Sequence, residues 1–257
     1  MDNTIIISDL DGTLLSSNGR ISEATFEWIS HWLKQERHFI IATGRHYRNV
    51  IGYFDGLPRI PDLITSNGAM INDKLTFPIE KCRLNCLRQL KVLADFHEVS
   101  FSVFTEEGWH VTEYNEMIVS HDFKAIMTPS KQFFNLNAFK GLFFGDPEKL
   151  LLLQNYLREG FSDYVSVRSD ECWLEIHWKE INKFAALKNF LKESKLDKKM
   201  TIAFGDGLND VELLKGCTLG VLMDNAMPEL KSILHGHPIT VSNDSEGVRI
   251  FLEQFFS

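Results

Sequence analysis

Two acids spaced by one residue, Asp9 and Asp11, stand directly after the apolar run Ile5-Ile6-Ile7-Ser8, and Gly12-Thr13 follows them. Carboxylates held this close repel unless a cation or a shared proton compensates. A second acidic stretch, Gly205-Asp206-Gly207-Leu208-Asn209-Asp210, comes after another apolar run, Met200 to Phe204. Taken singly, the first stretch could be a hairpin turn, and the second reads equally well as a polar loop capping the next helix. Taken together, Asp9, Asp11, Asp206 and Asp210 can converge on one hard cation, for which oxygen ligands are the usual choice. Mg(II) best suits such an open, carboxylate-rich site. A calcium-binding EF-hand is excluded, because its sixth position needs glycine and holds Leu14 or Val211 when counted from Asp9 or Asp206.

Convergence requires strands that end on one side of a sheet. The β-branched run ending at Asp11-Gly12 suits a strand covered on both faces, as in a parallel sheet, whose ligands bind beyond the carboxyl ends of the strands. Two further strands repeat that ending. His38 to Ala42 stops at Thr43-Gly44-Arg45, and Asp62 to Thr65 stops at Ser66-Asn67-Gly68. Thr43, Gly44, Asn67 and Asn209 add hydroxyl, backbone and amide donors, and Lys183 adds a positive charge able to hold phosphoryl oxygens. Between the strands, Ser22 caps an expected helix running to about Glu36, with Phe26, Ile29 and Leu33 at helical spacing. Asn72-Asp73-Lys74, flanked by short apolar runs, predicts a hairpin.

The patterning changes in the middle of the chain. Lys81 to His97, with Leu84, Leu87, Leu90 and Leu93, predicts one helix, and Pro147 to about Arg158 predicts another. Alternating segments such as Phe101 to Phe104 and Trp173 to Trp178 predict half-exposed strands. After Trp178 the buried pattern resumes, with a helix capped by Asn182 from Lys183 to about Glu193, then Met200 to Phe204, Thr218 to Leu222, Pro228 to Leu234, Ile239 to Ser242 and Gly247 to Phe255. The expected fold is α/β: a Rossmann-like parallel sheet with helices on both faces, formed by residues 1–80 and 179–257, with an inserted α+β domain over 81–178.

With 27 Lys and Arg against 35 Asp and Glu, the formal charge is −8. That balance argues against a nucleic-acid binder driven by phosphate neutralisation. No stretch stays free of charge long enough to span a bilayer, and no secretory leader is visible, so a cytoplasmic protein is expected. The four cysteines are scattered and predict no disulfide framework; Cys82 and Cys86, four apart on an expected helix, lack further zinc ligands. The nine histidines show no triad or zinc spacing. Trp109, Trp173 and Trp178 read as packing of the insert's own sheet.

The ordered motifs resemble those of the haloacid dehalogenase superfamily of phosphohydrolases, specifically its Cof-type, IIB branch. Asp9 to Thr13 matches its Asp-x-Asp-Gly-Thr motif, Thr43 to Arg45 its Thr-Gly-Arg, and Asn67-Gly68 its Asn-Gly step. Lys183 to Leu187 matches Lys-x-x-Ala-Leu, Gly205 to Asp210 matches Gly-Asp-Gly-x-Asn-Asp, and Met223 to Ala226 matches Met-x-Asn-Ala. Phe184 departs from the glycine usual after the motif lysine, and Lys179 and Lys188 are the alternative lysines.

The resemblance implies a Mg(II)-dependent phosphatase of small phosphorylated metabolites, sugar phosphates or cofactor precursors, working through an aspartyl-phosphate as monomer or homodimer. Asp9 would be the nucleophile and Asp11 the proton carrier. Leu10, Thr43, Gly44, Lys183 and Asn209 would bind phosphate, with Arg45 and Asn67 near the substrate. Metal would be held by Asp9, Asp206, Asp11 through its main-chain oxygen, and Asp210 directly or through a water. The insert would be the mobile cap that closes over the cleft and selects the substrate. A phosphomutase, or a non-catalytic sensor of a phosphorylated ligand, is the alternative.

Overall fold

The computed structural model describes residues 3–114 and 125–257; His121, one of the nine histidines, lies outside them. The chain forms two compact units, one from residues 1–76 and 182–257, the other from 77–181. The second unit therefore begins at Phe77 rather than Lys81 and ends at Ile181 rather than Trp178.

The first unit is built on a seven-stranded sheet. Its strands before the insert are β1 (Thr4–Ser8), β2 (His38–Ala42), β3 (Asp62–Thr65), β4 (Met70–Ile71) and β5 (Lys74–Leu75). β1 lies between β2 and the later strand Met200–Gly205, parallel to both. Ile5, Ile6, Ile7, Phe39, Ile40 and Ile41 are all fully buried. A strand with covered neighbours on both faces needs apolar side chains at every position, hence the unbroken runs. Each such isoleucine contributes roughly 1.5–3 kcal/mol of burial. β4 pairs antiparallel with β3, and β4 and β5 form the expected hairpin, antiparallel to each other. Its two turn residues, Asn72 and Asp73, both have positive φ, 46° and 64°, as a turn matched to the strand twist demands. Helix α1 (Glu23–Lys34) begins where Ser22 accepts a hydrogen bond from the Thr25 amide at 3.1 Å.

In the second unit the expected single helix over 81–97 is two pieces. Ile79–Cys82 makes one turn, and α2 spans Leu87–Phe96. Arg83 is extended at φ −64°, ψ 138°, and the Leu84 amide donates to the Ala138 carbonyl at 2.7 Å. Leu84, Leu87 and Leu90 nevertheless face one core, so the leucine spacing persists across the break. Cys82 and Cys86 consequently do not share a helix. The six-stranded sheet comprises β6 (Ser100–Thr105), β7 (Gly108–Val111), β8 (Ile126–Met127), β9 (Lys140–Phe144), β10 (Tyr164–Asp170) and β11 (Trp173–Trp178), in the order β10-β11-β9-β6-β7-β8. All pairings are antiparallel except β7 with β8. Leucines of α2 and of α3 (Pro147–Gly160), which Asp146 caps through the Glu148 and Lys149 amides, join Phe101, Val103 and Phe143 in one core. Trp109 stays in its own unit, donating to Ser102 Oγ at 2.7 Å and lying against Phe144 and Trp173.

The chain then returns to the first unit through α4 (Lys183–Glu193), β12 (Met200–Gly205), α5 (Val211–Gly216), β13 (Leu219–Leu222) and α6 (Gly247–Phe256). The completed order is β13-β12-β1-β2-β3-β4-β5. Residues 239–242 contribute one isolated bridge, Leu222 to Ile239, instead of a strand. Among the described residues no helix is long and apolar enough to cross a membrane.

Candidate active site

The ladder between β1 and β12 runs one residue past β1, with the Asp9 amide donating to the Phe204 carbonyl at 3.0 Å. The chain then turns over Leu10–Leu14, closed by the Leu15 amide on the Leu10 carbonyl at 2.8 Å. Gly12 is needed twice in that turn. Its φ is 70°, and a Cβ there would stand 2.3 Å from Asp206 Oδ2. Thr13 donates to the other oxygen, Oδ1 of Asp206, at 2.8 Å. In the sequence Thr13 stands out only as a motif residue; in the fold its bond to the acid after β12 ties the two acidic stretches together.

Lys183 is the centre of the cluster. Entirely buried, its Nζ donates to Asp9 Oδ1 and to Asp210 Oδ1, both at 2.6 Å. It sits in the first turn of α4, which starts where Asn182 accepts from the Ala185 amide. Asp210 is equally buried, and its Oδ2 accepts from the amides of Asp206 and Gly207, each at 3.1 Å. Asp210 thus braces the loop and pairs Lys183 with both of its oxygens already engaged. Oxygens of Asp9, Asp206 and Asp210 lie within 4.8 Å of one another, an arrangement that could hold a metal ion. The carboxylate of Asp11 is outside that group.

The electrostatics follow from three buried acids around one base. Burial pushes the Asp9 carboxyl well above its usual range, Lys183 pulls it back, and Asp210 and Asp206 push it up again. Asp206 is raised to about 6 by burial and then by Asp210, against the opposing effect of the Thr13 bond and Lys183. Burial would depress the Lys183 ammonium, yet Asp210 and Asp9 hold it above its ordinary value. An all-oxygen group with surplus negative charge fits a hard divalent cation.

Asp11 has a different environment. Its side chain is 51% exposed, against 8% for Asp9. Arg45 holds both of its oxygens, through Nε at 2.8 Å and a terminal nitrogen at 2.5 Å. The other terminal nitrogen of Arg45 donates to Tyr53 Oη at 2.9 Å, and the guanidinium carbon lies 5.5 Å from the Tyr53 ring centre. Tyr53 had no signal in the sequence, because nothing in local spacing marks it as a partner of Arg45.

The remaining site residues form a second group. Asn209 donates to Asn67 Oδ1 at 3.0 Å, and the Asn67 amide donates to the Thr43 carbonyl at 2.9 Å. Gly44 backs onto Asn67, where a Cβ would meet Oδ1 at 3.2 Å. Thr43 Oγ1 accepts from the Arg45 amide at 3.1 Å. Leu10 has a fully buried side chain, so any contact it makes with an anion is through its backbone. Asn225, from the Met-x-Asn-Ala element, donates to the Gly12 carbonyl at 2.7 Å and accepts from the Asn243 amide at 3.0 Å.

Of the alternative lysines, Lys188 is exposed, and Lys179 pairs with Asp163 in the second unit. Phe184 turns its ring onto Gly216 at the end of α5, where a Cβ would come within 2.3 Å of the ring. A glycine one helix away therefore provides the room for a bulky residue beside Lys183.

A mostly parallel sheet carrying acids at the ends of the adjacent strands β1 and β12, with a second compact unit inserted in its sequence, defines a Rossmann-like α/β protein with a carboxylate-lined site. The chain belongs to the haloacid dehalogenase-like hydrolase family, whose sequence model matches residues 6–252. It is 32% identical to the HMP-PP phosphatase of Serratia proteamaculans, over 96% of this chain and 93% of that protein. The X-ray structure of a Thermotoga maritima protein resembles it with a TM-score of 0.81 at 25% identity, covering 99% of this chain and 97% of that one. A sugar phosphatase of subclass IIB has the same fold, with a TM-score of 0.80 at 21% identity over 98% of each chain.

Proposed function

We propose that the chain is a Mg(II)-dependent phosphatase that hydrolyses monoesters of small phosphorylated metabolites through an aspartyl-phosphate. The observation that supports this reading is the contrast between two acids of one motif: Asp9 is buried on Lys183, whereas Asp11 is exposed on Arg45. Neighbouring carboxylates in different surroundings can take different roles.

Asp9, with one oxygen held by Lys183, attacks phosphorus in line with the leaving oxygen. The new bond joins Asp9 to phosphorus as the ester bond breaks. Asp11 protonates the departing oxygen, then takes a proton from the water that displaces Asp9 and releases inorganic phosphate. Lys183, Thr43, Asn209, and the backbone at Leu10 and Gly44 hold the phosphoryl oxygens, whose charge a carboxylate nucleophile cannot otherwise approach. Bound by Asp9, Asp206 and the main-chain oxygen of Asp11, with Asp210 behind them, Mg(II) would neutralise phosphoryl charge. The second unit is the cap that chooses the leaving group, and a phosphorylated sugar or cofactor precursor fits this reading. The phosphatase names borne by similar proteins support it.

Phosphate release from a panel of phosphorylated metabolites with magnesium tests the proposal. Asp9→Asn is expected to reduce turnover by about four orders of magnitude or more while leaving the fold intact. Wild-type rates in that variant, or undiminished activity after thorough chelation, would refute the nucleophile or the metal respectively.

A further inference from the structure

Arg45 engages both oxygens of Asp11 and one oxygen of Tyr53, so its position depends on both partners. Tyr53 is the fixed one. Its ring packs, partly buried, against the core of the first unit; its hydroxyl accepts from Arg45 at 2.9 Å, and the guanidinium carbon lies over the ring, 5.5 Å from its centre. The backbone of Arg45 is also held, its amide by Thr43 Oγ1 and its carbonyl by the Ser66 amide. The long side chain between these anchors would otherwise sample many rotamers.

A carboxyl group with a proton on one oxygen can accept only one of the two parallel bonds of a guanidinium, so each proton transfer through it breaks or remakes the fork. An acid that both gives and takes a proton has to leave and re-enter such a fork once per turnover. The fork guides it back only if the guanidinium stays in place when the acid lets go. From the paired contacts, we infer that Tyr53 is a positioning residue that keeps Arg45 in place and so returns Asp11 to the orientation from which it protonates the leaving group. This inference rests on the proposed role of Asp11. Tyr53 itself touches neither the acidic cluster nor Lys183 in any described contact, so its effect reaches the reaction through Arg45.

Tyr53→Phe removes the hydroxyl and keeps the ring. Comparison of kcat/KM for two probes tests the inference, since that ratio reports steps up to formation of the phosphoenzyme. Glycerol phosphate has a poor alkoxide leaving group that needs a proton, whereas p-nitrophenolate leaves without one. The expected result is a loss of about five- to tenfold with glycerol phosphate, a change below about twofold with p-nitrophenyl phosphate, and an unaltered melting temperature. Equal losses on the two probes would mean a merely structural role. No loss on either, with wild type active, would overturn the inference and leave the phosphatase reading standing. Wild-type enzyme that released no phosphate from any metabolite would overturn both.

Discussion

Each unit buries a lysine against acid, and the two arrangements differ in balance. In the second unit Lys140 meets Glu175 at 3.0 Å with side chains 4% and 9% exposed, over the ring of Phe104. In the first, Lys183 serves Asp9 and Asp210 together while Asp206 stands beside them. Within the Lys140–Glu175 pair one charge meets one opposite charge, and their attraction offsets part of the cost of removing both from water. Three acids share one base in the first unit, and burial first, then the neighbouring acids, shift Asp9 and Asp206 upward. The imbalance distinguishes an acidic cluster that could hold a metal ion from a pair that joins β9 to β11.

Substitution of the two lysines sharpens that contrast. Lys183→Met leaves Asp9 and Asp210 facing each other without their shared cation, and activity on any phosphomonoester is expected to fall by about a factor of 10³. Steady-state kinetics at saturating magnesium measures it; a loss below tenfold would mean that Lys183 is a loop brace alone. Lys140→Met is expected to act on stability, costing about 3–5 kcal/mol in denaturant unfolding because the buried Glu175 loses the opposite charge at 3.0 Å. Replacing Glu175 with leucine as well should recover most of that loss. If Lys140→Met instead lowered turnover at unchanged stability, the pair would belong to substrate handling and the contrast between the units would fail.

What the sequence makes legible is local. The runs of β1, β2 and β3 are unbroken because both faces of those strands are covered, and Ser22, Asn182 and the Asn72-Asp73 turn act on amides within a few residues. Residues with a common motif position meet in the fold, as Lys183 meets Asp9 and Asn209 meets Asn67. The break before Leu87 was hidden because leucine spacing records which core a side chain joins, whereas Leu84 sends its amide to Ala138. Pairs such as Tyr53 with Arg45, or Phe184 with Gly216, depend on packing between elements. No periodicity encodes them, and the last of these could be found only by asking where the ring beside Lys183 finds room.

The smallest effect expected concerns Asp206, whose carboxyl stands at about 6 where an unfolded chain would have it near 4. Between those values the metal-free native state binds the extra proton. Its stability therefore declines as pH rises through that window. A divalent cation prefers the ionised acid, so magnesium binding should weaken as pH falls below about 6, by up to tenfold per pH unit if one proton is displaced. Calorimetric titration of magnesium into the protein at several pH values measures the slope. Asp206→Asn should flatten the dependence while weakening the metal. A slope that persisted in Asp206→Asn would move the titrating group to Asp9, the other acid that burial raises, and would place the displaced proton on the proposed nucleophile.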